Sequence, residues 1–275
     1  MTFNYNAMLA ISPERGKGLA ILWREGVFSM LDAWLVVVPA RLKSERLPEK
    51  PLQDLGGVPL IVRVARNLAP LEGLGARVIV ATDAEKIVAA CTTHRVRAVM
   101  TNPAHQSGTD RCAEAALSLR DRPYVMNVQG DEPFVSTKDL ERLAVAMEKH
   151  TDADIGTLVY ENRDPAVAAD PNVVKAMRRA DGFAAYFSRA ALPYQRDAKP
   201  PLPAAFWQHI GIYAFRRDKL LAFGKLPPSP WEQSEKLEQL RALEHGWRIW
   251  LEPATHLSRG IDTPADIEAA RAKIK

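Results

Sequence analysis

Two aspartates and one basic loop carry the clearest chemical potential in this 275-residue chain. Asp131 follows an apolar run at 124–128 and Gly130. A carboxylate at the end of a buried strand, beside a glycine that lets a substrate approach the backbone, is placed to bind Mg2+ and a nucleotide phosphate. The same residue could equally be a turn aspartate bonding its own backbone. Asp262 stands before Thr263-Pro264, where helix N-capping is the plain alternative. Carboxylates on two separate loops could hold Mg2+ between them, because that ion takes one or two carboxylates and completes its shell with waters and phosphate oxygens. Between Pro39 and Pro51 stand Arg41, Lys43, Arg46 and Lys50. Four cations on one loop can wrap a triphosphate through charge-assisted hydrogen bonds; they also describe a solvated basic loop.

Two further segments are ambiguous in the same way. His105-Gln-Ser107-Gly108-Thr109-Asp-Arg111 can offer amides and hydroxyls to a base or ribose, or it can be a capping loop with Ser107 or Thr109 as N-cap. If 231–245 is one helix, Ser234, Glu238, Arg241 and His245 share its polar face. Glu238 and Arg241 then make an i,i+3 surface pair, or Glu238 and Gln239 turn to sugar hydroxyls. Gly-x-Gly-x-x-Gly, Gly-x-x-x-x-Gly-Lys-Ser/Thr, His-Glu-x-x-His and Gly-x-Ser-x-Gly are absent from the sequence. That argues against a Walker NTPase, a typical dinucleotide dehydrogenase, a zinc protease and a typical serine hydrolase.

The elements that must position these residues follow from the apolar pattern. Runs at 34–38, 77–82, 96–100 and 124–128 read as buried strands, and 58–68, 84–91 and 109–119 as the helices between them. Asp83 or Thr82 is the expected cap of the second helix. This alternation predicts an α/β fold: a mostly parallel central sheet with helices on both faces. Right-handed crossovers bring the loops 39–50, 82–83, 101–111 and 129–133 to one sheet edge, where ligands of such folds bind. In the second half, 155–160, 173–177, 183–187 and 209–215 read as strands with longer connections, a mixed β extension. A helix at 231–245, a strand at 247–251 and a closing helix at 264–275, capped by Thr263 or Asp262, complete the chain. Residues 1–33 read as a poorly ordered N-terminal extension, with Met30 a possible natural start, and 34–275 as one domain.

Composition sets the bounds. The chain is 47% hydrophobic, enough for a sizeable core. A net charge of +4, from 37 basic and 33 acidic residues, suits anionic ligands but is too weak a signal for nucleic acid. Cys91 and Cys112 form no Cys-x-x-Cys pair and read as buried thiols of a reducing compartment. No apolar stretch approaches the roughly 20 residues of a membrane span, so no stable membrane insertion is expected.

Taken together, several segments resemble the 3-deoxy-manno-octulosonate (KDO) cytidylyltransferase family: Pro39-Ala-Arg41, Arg46-Leu-Pro48, Lys50-Pro-Leu52, Ala81-Thr-Asp83, the 105–111 motif, Asn127-Val-Gln129-Gly-Asp131-Glu-Pro133, Asp170-Pro-Asn172, 186–190, 209–213, 237–241 and 260–264. The resemblance implies a Rossmann-like nucleotide-diphospho-sugar transferase fold. It implies a reaction in which the anomeric hydroxyl of KDO attacks the α-phosphorus of CTP, giving CMP-KDO and pyrophosphate for lipopolysaccharide synthesis. It further implies Mg2+ as cofactor, a cytoplasmic location and a homodimer, for which the 209–215 strand region is the candidate surface. By position in the motifs, Arg41, Arg46 and Lys50 would contact the CTP phosphates, and Asp131 and Asp262 the metal. Ser107, Gly108 and Thr109 would lie at the cytidine side. Gln129, Arg189, His209, Tyr213, Glu238 and Gln239 would contact KDO. Transfer to another acidic sugar, such as a sialic acid or amino-KDO, and a non-catalytic nucleotide-sugar-binding protein are the alternatives. The first loop departs from the family's usual wording at Glu45 and Glu49, which add two carboxylates close to the phosphate site.

Overall fold

The computed structural model of the chain describes residues 29–44, 47–200 and 202–274. Most of the proposed extension, residues 1–28, and Arg46 of the basic loop lie outside them. Residues 29–33 form a turn that enters the fold: Leu31 is buried and its amide donates to the Leu74 carbonyl.

The first half alternates strands and helices. It runs β1 (Trp34–Ala40), α1 (Leu60–Asn67), α2 (Ala69–Gly73), β2 (Arg77–Thr82), α3 (Glu85–Thr93), β3 (Ala98–Met100), α4 (Gly108–Leu117), β4 (Tyr124–Asn127) and α5 (Thr137–Lys149). The second half adds β5 (Ile155–Asn162), α6 (Pro165–Ala169), β6 (Lys175–Arg178), β7 (Ala184–Ser188), β8 (Phe206–Arg216), α7 (Arg217–Phe223), α8 (Pro230–Glu235), α9 (Gln239–Glu244), β9 (Ile249–Pro253) and α10 (Pro264–Ile274). Among the described residues the strands join in one sheet whose main path is β3-β2-β1-β4-β8-β5-β9. Pairings are parallel throughout that path except where β8 lies antiparallel between β4 and β5. The β6–β7 hairpin pairs with the start of β8, the mixed extension expected from the sequence.

The core follows from strands buried on both faces. All seven residues of β1 are buried. With period-2 alternation, Trp34, Val36 and Val38 enter the cluster that α1, α3 and α5 cover, while Leu35 and Val37 enter the one beneath α4, α7 and α9. Cys91 and Cys112 belong to opposite clusters, so the sheet separates the two thiols. Burial pushes the Cys91 thiol up to about 11 and Cys112 well above its ordinary value, leaving both unreactive.

Three features differ from the expectations. Helix α5 is missing from the elements read out of the sequence, although Ser136 caps it and Leu140, Leu143, Ala144 and Met147 are buried at helical spacing. The late helix is broken. Lys236 adopts a left-handed conformation (φ 53°), separating α8 from α9. Arg241 therefore pairs with Glu232, at 2.5 and 2.7 Å, and not with Glu238. Finally, β8 has no open edge to give to a dimer over 209–215. Both of its edges are paired, and Ile210, Ile212, Ala214 and Phe215 are buried.

The reversal of strand order lies between β1 and β4, since β2 and β3 extend from one side of β1 and β4 from the other. There the end of β1 presses on the loop after β4. A Cβ on Gly130 would lie 2.7 Å from the Pro39 carbonyl oxygen and 3.3 Å from Ile61 Cδ1. The space at Gly130 is thus taken by the protein's own backbone, not by a substrate. Gly130→Ala is expected to cost about 1–3 kcal/mol, read as a lower denaturation midpoint with an unchanged m-value.

Candidate active site

The four loops predicted to converge do so, each tied to another by a side chain. Arg41 on the β1 loop donates to the His105 carbonyl at 2.6 Å, joining that loop to the one after β3. Arg111, fully buried in α4, donates to Asp83 at 2.8 Å and to the Thr101 hydroxyl, joining the loops after β2 and β3. Lys50 donates to Asp131 at 2.6 Å, joining the β1 loop to the loop after β4.

Lys50 also donates to Asp262 at 3.0 Å. The two candidate metal carboxylates, from distant segments, thus reach one ammonium. The capping alternative for Asp262 falls to its neighbour. Thr263 accepts from the Asp266 amide at 3.2 Å, and Asp266 accepts from the Asp262 and Thr263 amides at 3.0 and 2.8 Å. That leaves the Asp262 carboxylate directed at Lys50. Burial alone would lower the Lys50 pKa, but the charges and hydrogen bonds of Asp131 and Asp262 outweigh it and the net shift is upward. Two carboxylates brought together from separate segments are a donor set that suits Mg2+, which completes its shell with waters and phosphate oxygens. Among the described residues no group of three or more His, Cys, Asp or Glu is arranged as a self-sufficient metal cage.

Beside this cluster, β8 and the α8–α9 break line an open cavity of about 380 Å³. Four of the predicted sugar contacts line it: His209, Tyr213, Glu238 and Gln239. Gln129 lies next to it, with its amide 3.3 Å from the Gly211 carbonyl. Arg189 is outside the lining. Its guanidinium donates to the backbone carbonyls of Glu235 at 2.7 Å and Pro171 at 3.0 Å. Asn172, Gln208 and Lys236 also line the cavity. The Asp-Pro-Asn segment marked Asn172, and Gln208 stands before His209 where the family it resembles commonly has Arg; Lys236 depends on the break in the helix.

The cavity's polar groups are held in defined states. Thr157 donates its hydroxyl hydrogen to the Ile212 carbonyl at 2.6 Å, so its oxygen accepts from His209 Nε2 at 2.9 Å. His209 Nδ1 is then an acceptor. Burial lowers the His209 pKa to about 3, so the ring is neutral in ordinary buffers. The Tyr213 hydroxyl donates to Gln239 Oε1 at 3.0 Å, and burial raises its phenol pKa. Gln239 Nε2 is buried with no hydrogen-bond partner. An orphan amide donor in a cavity wall is costly unless a ligand accepts from it. Glu238 is raised by burial, partly offset by hydrogen bonds from Thr109 and Ser107. Thr109 donates to it at 3.1 Å, so a predicted nucleotide residue touches a predicted sugar residue. Ser107 is the N-cap of α4 in a reciprocal box with Asp110, which confirms the capping alternative for that residue.

The family model described as cytidylyltransferase matches residues 35–249. A 3-deoxy-manno-octulosonate cytidylyltransferase from Polynucleobacter asymbioticus is 44% identical over 241 residues, covering 86% of this chain and 94% of its own. The protein of the same name from Leptothrix cholodnii is 47% identical over 252 residues, covering 87% and 90%. Among solved structures, a CMP:2-keto-3-deoxy-manno-octonic acid synthetase complexed with CTP superposes with a TM-score of 0.82 at 38% identity, over 88% of this chain and 98% of that one. HddC from Yersinia pseudotuberculosis, complexed with GMP-PN, shares the fold alone, with a TM-score of 0.61 at 16% identity over 88% and 99%.

Glu132, next to Asp131, accepts a hydrogen bond from Ser258. Burial raises its pKa to about 7, with the Ser258 bond opposing and the Asp131 and Asp262 charges adding. The folded protein therefore keeps a proton that the unfolded chain releases near pH 4.5. Glu132 costs stability increasingly as the pH climbs through that window to about 7, and the full cost persists above it. In EDTA, Glu132→Gln should raise the melting temperature by about 2–5 °C at pH 8 and much less at pH 5. Calorimetry at the two pH values checks this.

Proposed function

The chain belongs to the cytidylyltransferase family, and from that membership we propose that it transfers CMP from CTP to the anomeric hydroxyl of KDO, releasing CMP-KDO and pyrophosphate. One observation carries this reading. A cluster suited to a metal and phosphates, Lys50 with Asp131 and Asp262, adjoins an open cavity whose polar groups suit a hydroxylated acid. The match to a CTP-complexed relative over most of both chains supports the nucleotide.

The residues divide the work. Arg41 and Lys50 bring positive charge to the sheet edge where a triphosphate would lie. Lys50 gives two of its three N–H groups to carboxylates, leaving the third for a phosphate oxygen. Arg46 joins them by its place in the motif. Gly108 and Thr109 border the nucleotide side, with Ser107 holding the start of α4 in register. On the sugar side, Gln239 Nε2 offers a buried donor to a carboxylate or hydroxyl oxygen, and His209 Nδ1 accepts from a hydroxyl. Glu238 accepts from a second hydroxyl, and Gln129 stands between the two halves. Catalysis on this plan is mainly positioning and charge stabilisation. Mg2+ held by Asp131 and Asp262 would neutralise charge at the α-phosphate and lower the pKa of the attacking hydroxyl.

The resemblance adds a cytoplasmic homodimer to the proposal. Among the described residues no helix is long and apolar enough to cross a membrane.

The test is pyrophosphate release from CTP with Mg2+ and each sugar acid in turn. KDO should outpace sialic acid, and Asp131→Asn and Asp262→Asn should each lose about 100-fold or more in rate at saturating Mg2+. Unchanged rates in both variants would remove the metal role. CTP binding without turnover of any sugar acid would leave a nucleotide-binding protein.

A further inference from the structure

Lys175 is a large cation with none of its surface exposed. Its ammonium donates to three backbone carbonyls: Asp170 at 2.9 Å, Val173 at 2.6 Å and Arg189 at 2.5 Å. Burying an ammonium without a bonded carboxylate is expensive, and an apolar side chain of similar length would fill the space at less cost. What the charge supplies is geometry. It gathers the 170–173 turn and the end of β7 onto one point.

Arg189 carries the connection onward. It donates through Nη1 to the Pro171 carbonyl, in the same turn, and through Nε to the Glu235 carbonyl, at the end of α8. The Glu235 carboxylate returns the contact, accepting from the Arg189 amide at 2.9 Å and the Ser188 hydroxyl at 2.6 Å. These two gathered segments continue directly into the two walls of the cavity, 172–174 on one side and 236–239 on the other. The second wall begins with the left-handed Lys236, so fixing Glu235 fixes where Gln239 and Glu238 emerge.

We infer that Lys175 and Arg189 form a backbone clamp that sets the spacing of the cavity walls, which makes Lys175 a positioning residue for the sugar substrate. The inference rests on the proposed function for the identity of that substrate. The clamp's own hydrogen bonds reach neither Lys50 nor Asp131, and its one link to the nucleotide side runs through Glu238 to Thr109, so its loss should be felt mainly by the sugar substrate.

The experiment uses the full chain as wild type, Lys175→Met and Arg189→Lys. Steady-state pyrophosphate release gives KM for CTP and for KDO, and hydrogen–deuterium exchange of the substrate-free protein follows amides in 170–174 and 235–239. Lys175→Met should raise KM for KDO about tenfold or more while KM for CTP stays within about twofold. Both segments should lose protection together, with the central strands unchanged. Arg189→Lys keeps the charge at a part-exposed position. It should shift the same two readouts in the same direction, and it decides the matter if Lys175→Met does not fold. The clamp is overturned if KM for KDO is unchanged, if both KM values rise in parallel, or if exchange in the two segments stays at the wild-type level. Wild-type protein that turns over no KDO would sink the proposed function instead, and exchange, which needs no substrate, would then judge the clamp alone.

Discussion

The ammonium of Lys50 lies between two carboxylates that are 81 and 212 residues away in the chain. Asp131 and Asp262 repel each other unless a cation stands between them, so three distant segments can meet at this edge only around positive charge. The neighbouring backbone is arranged to allow it. The Ile261 amide donates to the Asp131 carbonyl at 2.9 Å, and Ser258 donates to Glu132. Buried Asp139, on α5, accepts from the Thr255 and His256 amides and so anchors the segment that leads to Asp262. Thr263 and Asp266 bond each other at the start of α10. The charge cluster is thus held by its surroundings from both ends.

The other half of the site depends on β8 running against its neighbours. Because β8 is antiparallel to β4 and β5, its early residues, His209 and Gly211, lie past the end of β4, on the edge where the parallel strands deliver their loops. An all-parallel strand there would have placed its start at the opposite edge. The break at Lys236 supplies the facing wall. The hydrogen bond from Thr109 to Glu238 spans from α4 to that wall, so the nucleotide side and the cavity are parts of one surface.

Much of the architecture was legible in the sequence for a simple reason. Strands buried on both faces must be largely apolar, and the interiors of β1, β2 and β4 are. Period and composition therefore marked them without knowledge of their neighbours. The carboxylates and the basic loop were legible as residue types, each with a bland alternative of similar weight. What separated the alternatives was contact. Thr263 took the cap beside Asp262, Ser107 was committed to capping, and Arg189 was drawn to the Pro171 and Glu235 carbonyls. Helix α5 carried a readable signal, a serine cap and apolar residues at 140, 143, 144 and 147, that the stronger strand pattern on either side obscured.

The sequence by itself determined the α/β class, the family and the set of loops that meet, because these depend on local pattern and on motifs contiguous in the chain. Only the tertiary structure decided which side chains touch. Lys50 between Asp131 and Asp262, the broken helix at Lys236, and the buried Lys175 joining 170–173 to Arg189 all arise from groups far apart in sequence whose charges must be satisfied in one place. No local pattern records that requirement, since a lysine solvated on a loop and a lysine between two carboxylates are the same letter.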